Sequence, residues 1–175
     1  TDLSLLTILC SDIFCQWSSF LPKIYARQAL TPDGWAYNLC VEISDGRIGR
    51  ISNDKGGRHQ SVDLLLPAPV NLHSHAFQRA MAGLTESRGP NSTDSFWTWR
   101  QLMYRFLNQL TPEQVQAIAE LAFMEMLEAG YGAVAEFHYL HHHIDGAPYH
   151  NLSEMADRII AAAQQTGIGL TLLPV

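Results

Sequence analysis

The chain has 175 residues, with 11 Lys or Arg against 17 Asp or Glu, a formal net charge of −6 and a hydrophobic fraction of 47%. That apolar content excludes disorder as the dominant state, and the acidic balance argues against a nucleic-acid partner, which would demand a basic footprint. The length suits one domain, or one domain with part of another.

Residues 1–22 show no clean period and no turn chemistry, and they stay unassigned. Their longest apolar run, residues 5–10, is far short of the ~20 residues a membrane span needs. Asp2 and Asp12 flank it and no basic stretch precedes it, so it is a poor signal peptide and no membrane partner is expected. Cys10, Cys15 and Cys40 form an odd set without disulfide spacing, which points to a reducing, cytoplasmic compartment. The first residue is Thr rather than Met, so the natural start is expected to lie elsewhere.

From Lys23 the pattern becomes one of short strands and turns. Thr31-Pro32-Asp33-Gly34 has turn chemistry, Pro presetting φ and Gly supplying a permissive backbone. Leu39, Val41 and Ile43 alternate with Cys40 and Glu42, as in a half-buried strand. Ser44-Asp45-Gly46 then turns the chain into a hairpin partner at residues 47–51. Residues 23–61 are thus expected to form a small antiparallel β unit, the N-terminal portion of a sandwich-type domain. Residues 62–66 read as a strand buried on both faces, and residues 62–175 as the first β/α units of a barrel. Residues 86–95 read as a loop, followed by a helix over about 96–110.

Thr111-Pro112-Glu113-Gln114 is a helix start: a capping Thr, Pro at the first helical position and Gln three residues after the cap. Val115, Ile118, Ala122, Met126 and Ala129 form its apolar stripe, with Gly130 as the stop. Residues 133–137 read as a strand. Leu152, Met155, Ala156, Ile159, Ile160 and Ala163 mark another amphipathic helix, and residues 168–175 a last strand. This β–α–β–α–β order predicts an α/β fold with parallel strands and helical crossovers. A closed (β/α)8 barrel needs eight of each and roughly 250 residues. The expectation is therefore the N-terminal part of a TIM-type barrel, incomplete in this chain.

His73-Ser74-His75 places two imidazoles at i and i+2. On an extended backbone both project from one face and can reach a common metal. After a buried strand they would stand at its C-terminal end, where barrel active sites are built. The motif alone is weak: with 8 His in the chain a chance pair is unsurprising, and His141-His142-His143 supplies another. Two ordinary histidines remain an alternative. Gln78 could cap a loop or contact a ligand. Arg100, among Trp97, Trp99 and Tyr104, could stack or bind an anion, with Arg105 as the substitute. Tyr139 could be a core aromatic or a site residue. Glu136 and His138 are not expected to be ligands, and the 141–143 histidines read as a solvated loop.

The string from Leu66 to Gly83, centred on Asn71-Leu72-His73-Ser74-His75-Ala76-Phe77-Gln78, resembles the first metal strand of the amidohydrolase superfamily. The resemblance continues through Asp94-Ser95-Phe96-Trp97-Thr98-Trp99-Arg100, Met103-Tyr104-Arg105-Phe106, residues 134–142 and residues 167–175. Within the superfamily it is similar to the branch that acts on formimino amino diacids. Ala68-Pro69-Val70 departs from the Gly-containing turn usual there. The resemblance implies that His73 and His75 are the first two ligands of one catalytic Zn2+, with iron(II) as the alternative metal. Zinc lowers the pKa of bound water to about 7 and so supplies a nucleophile at neutral pH. The resemblance also implies that Gln78 contacts the formimino group and acts in catalysis, that Arg100 clamps a substrate carboxylate, and that Tyr139 contacts substrate. The implied reaction converts N-formimino-L-glutamate to N-formyl-L-glutamate and ammonia, in histidine degradation. The remaining ligands are expected beyond residue 175, so these 175 residues alone are expected to be inactive. The alternatives are a superfamily deaminase acting on a purine or another amidine, and an inactive remnant that pairs its open edge with a partner. A homodimer also stays open.

Overall fold

The computed structural model describes residues 23–84 and 95–175, and the chain divides into two compact units between Pro69 and Val70. The unassigned residues 1–22, with Cys10 and Cys15, and nearly all of the expected 86–95 loop lie outside the described residues.

In the first unit β1 (Lys23–Thr31), β2 (Gly34–Ser44), β3 (Arg47–Ser52) and β4 (Gln60–Leu65) form one sheet in the order β3-β2-β1-β4. The hairpins β1–β2 and β2–β3 are antiparallel as expected. Asp45 and Gly46 both take positive φ, 51° and 70°, the two-residue turn whose twist suits adjoining strands. Ala26, Ala29, Leu39 and Val41 make the core of the unit, with Val62 and Leu65 packed on it. Leu39, Cys40 and Val41 are buried in succession, so the strand is covered on both faces there, beyond what its alternation implied. Cys40 is a free, buried thiol.

The structure corrects the reading of residues 62–66 and the boundary at 61/62. β4 pairs in parallel with β1 and completes the first sheet rather than opening the second. It is an edge strand: Leu64 is half exposed, and Asp63 reaches Arg27 across the strands at 3.2 Å. The unit is therefore mixed rather than purely antiparallel, and its described residues form one four-stranded sheet.

The second unit opens with β5 (Val70–Ser74) and a 3-10 turn (Ala76–Met81). Then come α1 (Phe96–Leu107), α2 (Pro112–Glu128), β6 (Ala133–His138), α3 (Glu154–Thr166) and β7 (Gly169–Pro174). Its strands form a parallel sheet in the order β5-β6-β7. Helix α2 begins as its local chemistry dictates. The Thr111 hydroxyl accepts from Gln114 N, the Gln114 side chain accepts from Thr111 N, and Pro112 follows the cap. Helix α3 ends where Gly167 takes φ 82°, a left-handed cap that an L side chain resists. Val115, Ala119, Ala122 and Phe123 of α2 pack with Met155, Ile159, Ala162 and Ala163 of α3 and with Val134 of β6. Each large side chain so buried contributes about 1.5–3 kcal/mol. Leu152 and Ile160, read as part of the α3 stripe, are exposed instead. No helix among the described residues is long and apolar enough to cross a membrane.

Candidate metal centre

Strand parity and one irregularity in β5 decide where the histidines point. Val134, Glu136 and His138 of β6 are buried on the helix-covered face, while Ala133, Ala135 and Phe137 alternate onto the other face. Asn71 aligns with Val134 and Ser74 with Glu136, so three steps along β5 match two along β6. The extra residue lets Asn71 and Ser74 both face the helices and leaves His73 and His75 together on the opposite face. Asn71 stabilises this detour: its Oδ1 accepts the His73 backbone N–H at 3.1 Å, and its Nδ2 reaches Met126 Sδ of α2 at 3.6 Å. The sequence placed the two histidines after the buried run of residues 62–66. The structure instead puts His73 within β5 and His75 one residue beyond its end.

The His73 and His75 rings meet edge to face with centroids 4.8 Å apart, and Phe137 lies against both. His75 Nδ1 is 3.2 Å from the Phe137 carbonyl oxygen. A carbonyl only accepts, so Nδ1 carries the proton and Nε2 presents its lone pair, the arrangement typical of a metal-ligating histidine. Tyr139, just past β6, stacks on His75 at 4.9 Å and 28° and remains 46% exposed. Two imidazole donors on one face of parallel strands suit zinc, which takes three or four protein ligands. Among the described residues no group of three or more His, Cys, Asp or Glu assembles that could by itself hold a metal ion.

The 3-10 turn carries the chain from His75 towards the helices. Gln78 N donates to His75 O at 2.9 Å, and Gln78 Nε2 leans on Met103 Sδ of α1 at 3.7 Å. Arg79 anchors the turn to α2 by a two-pronged pair with Glu125 at 2.6 and 2.7 Å. The Arg79 guanidinium holds the Glu125 carboxyl below its ordinary range. Arg100 lies one helical turn before Met103 on α1 and is exposed. Its guanidinium covers the Tyr104 ring at 5.0 Å and the Trp97 ring at 5.9 Å, and it donates to Tyr104 Oη at 3.3 Å. Both sequence alternatives for Arg100 survive: it stacks, and it has no ion-pair partner among the described residues. Arg105 is also exposed on α1.

Glu136 and His138 do not join the imidazole pair but lie buried behind it. Burial pushes the Glu136 carboxyl up, opposed by Ser74, the Ala76 amide and the two nearby histidines. Burial also drives His138 down to about 4. His141 Nε2 is 3.1 Å from Val175 O and His143 Nδ1 is 3.1 Å from Asp145, so the histidine-rich loop is engaged locally. Sequence reasoning missed two contributors, the Phe137 carbonyl and the Glu136 carboxyl. Only the run of buried polar positions at 136 and 138 could have signalled them.

These features agree with comparisons to known proteins. Residues 64–173 match the Amidohydrolase family, and the chain belongs to that family. Residues 22–58 match the N-terminal domain of formimidoylglutamate deiminase HutF. Over 158 residues the chain is 55% identical to formimidoylglutamate deiminase of Pseudomonas aeruginosa, covering 89% of this chain and 35% of that protein. An amidohydrolase from Brucella melitensis superimposes with a TM-score of 0.80 at 54% identity, over 87% of this chain and 34% of that one. Atrazine chlorohydrolase TrzN from Arthrobacter aurescens TC1, in a complex with zinc, shares the fold at a TM-score of 0.68 and 19% identity, over 87% of this chain and 35% of that one. The chain thus spans about a third of the length of these relatives. The described strands β5, β6 and β7 are the α/β opening of an incomplete barrel.

Proposed function

We propose that the complete protein carrying this chain is a metal-dependent deiminase that hydrolyses N-formimino-L-glutamate to N-formyl-L-glutamate and ammonia in the cytoplasm. Water adds its oxygen to the formimino carbon, the carbon–nitrogen bond to the terminal nitrogen breaks, and that nitrogen leaves as ammonia. The observation that carries this reading is the cluster of His73, His75 and Tyr139 at the C-terminal ends of β5 and β6. It occurs in a chain 55% identical to a formimidoylglutamate deiminase. His73 and His75 hold the metal, which we infer to be zinc from the two imidazole donors. When bound, it supplies Lewis acidity and a nucleophile from water at neutral pH. The other ligands would come from further strands of the barrel, so the 175 residues alone are expected to be inactive.

The remaining roles belong to side chains around the pair. Gln78 offers a carbonyl and an amino group, so it can orient the formimino group by accepting and donating at once. Arg100, free of acidic partners among the described residues, binds a substrate carboxylate with its planar fork. Tyr139 presents a hydroxyl beside His75 towards the same substrate. The test is ammonia release by the purified complete protein from N-formimino-L-glutamate, guanine and adenine, with metal analysis of the same sample. Turnover of the formimino diacid with bound zinc supports the proposal. Turnover confined to a purine overturns the substrate assignment, and full activity in a metal-free preparation overturns the mechanism.

A further inference from the structure

Glu136 is 1% exposed, a carboxyl enclosed on the helix-covered face of β6. Burying such a group carries a desolvation cost that an apolar side chain avoids. Its Oε2 has no hydrogen-bond partner among the described residues. Stability alone gives little reason to keep a carboxyl here, so its contacts, the Ser74 side chain and one backbone amide, become informative. Oε1 accepts the backbone N–H of Ala76 at 2.6 Å.

That amide belongs to the peptide plane that follows His75. The carbonyl of the same plane, His75 O, accepts from Gln78 N at 2.9 Å. The plane is therefore held at both ends, and with it the His75 ψ of 81°. The next residue along β6, Phe137, holds the ring of the same histidine through its carbonyl at 3.2 Å. Consecutive residues of β6 thus grip the backbone and the imidazole of His75, Glu136 by its side chain and Phe137 by its carbonyl. Ser74, aligned with Glu136 across the strand pair, is buried beside this contact.

We propose that Glu136 is a positioning residue for His75, an acceptor that fixes the backbone from which the imidazole reaches a metal. The proposal rests on the reading of His73 and His75 as metal ligands. Glu136 acts through the Ala76 amide and does not itself coordinate, because its side chain occupies the face opposite the imidazole pair.

The experiment uses the complete protein. Glu136→Gln keeps an oxygen that can accept from Ala76, and Glu136→Leu removes it at similar volume. Ala76→Pro removes the donor instead. Zn2+ affinity is measured by competition with a chromogenic chelator, the thermal midpoint is recorded, and kcat and KM are determined in Zn2+-saturated buffer. Glu136→Leu and Ala76→Pro are expected to weaken Zn2+ binding by about 10–100-fold, the usual loss when a residue supporting a metal ligand is removed. KM should stay near its original value, and Glu136→Gln should restore most of the Zn2+ affinity. A Glu136→Leu protein that binds Zn2+ like the parent and shows only a lower thermal midpoint overturns the proposal. So does a Glu136→Gln protein as impaired as Glu136→Leu. If Glu136→Leu does not fold, undiminished Zn2+ affinity in Ala76→Pro overturns it. His75→Ala separates the two levels: unchanged Zn2+ affinity there sinks the ligand assignment itself, whatever Glu136 does.

Discussion

His138 is 2% exposed on the helix-covered face of β6, and its Nε2 has no hydrogen-bond partner among the described residues. Burial is the main force on its titration. The neighbouring His141, 5.1 Å away between ring centroids, adds to it, and a backbone hydrogen bond at Leu140 opposes it. Together they bring the pKa from 6.5 to about 4. Between those values the unfolded chain binds a proton at this position and the folded chain does not, so acid favours unfolding. The stability contributed by the neutral ring is therefore complete above about pH 6.5 and is lost as pH falls towards 4. At about 1.4 kcal/mol per pH unit the loss is about 3 kcal/mol, a large share of the 5–15 kcal/mol typical of a domain.

Urea unfolding followed by tryptophan fluorescence, with chelator present to remove metal linkage, should be run from pH 4 to 7 on the complete protein and on His138→Leu. The packing change in the variant is independent of pH. Glu136, whose raised pKa acts in the opposite sense, titrates in both proteins and largely cancels. The stability of the parent minus that of the variant should rise by about 3 kcal/mol from pH 4 to pH 7. A difference that stays flat, or that grows towards acid, refutes the assignment of His138 as a buried neutral histidine.

Arg100→Met should raise KM for N-formimino-L-glutamate by about 10–100-fold, the worth of a charged hydrogen bond of ~1.5–3 kcal/mol. Bound metal should not change, and its loss alongside the KM effect would count against a substrate role. Tyr139→Phe retains the ring stacked on His75, so kcat/KM should fall by about 2–10-fold, for one lost hydrogen bond, at constant metal content. Tyr139→Ala should lose metal as well, and equal behaviour of the two variants would show that the ring supports nothing. Thr111→Ala removes the cap of α2 and should lower stability by about 1 kcal/mol, read as a lower urea midpoint. An unmoved midpoint would mean the cap contributes nothing.

Most local features were legible because their causes are local. The α2 start follows from Thr111, Pro112 and Gln114, the α3 end from Gly167, and the β2–β3 hairpin from Asp45-Gly46. The shared face of His73 and His75 follows from strand parity. Residues 62–66 read as a barrel strand because an apolar run looks the same whether it opens a barrel or closes the edge of another sheet. Its pairing with β1 decides between them, and nothing within the run specifies that partner. The α3 stripe was overestimated for a similar reason: periodicity names Ile160 as apolar but not whether anything packs on it.

The chain's own order of residues determined the elements, the α/β class and the paired imidazoles, since propensity, capping and parity act over a few neighbouring positions. Tertiary structure decided what surrounds those imidazoles. The extra residue in β5 turned Asn71 away from them, Tyr139 came to stack on His75, and a carbonyl 62 residues along the chain set the proton on its ring. Such contacts depend on which strands lie side by side, and that is settled only when the whole core packs.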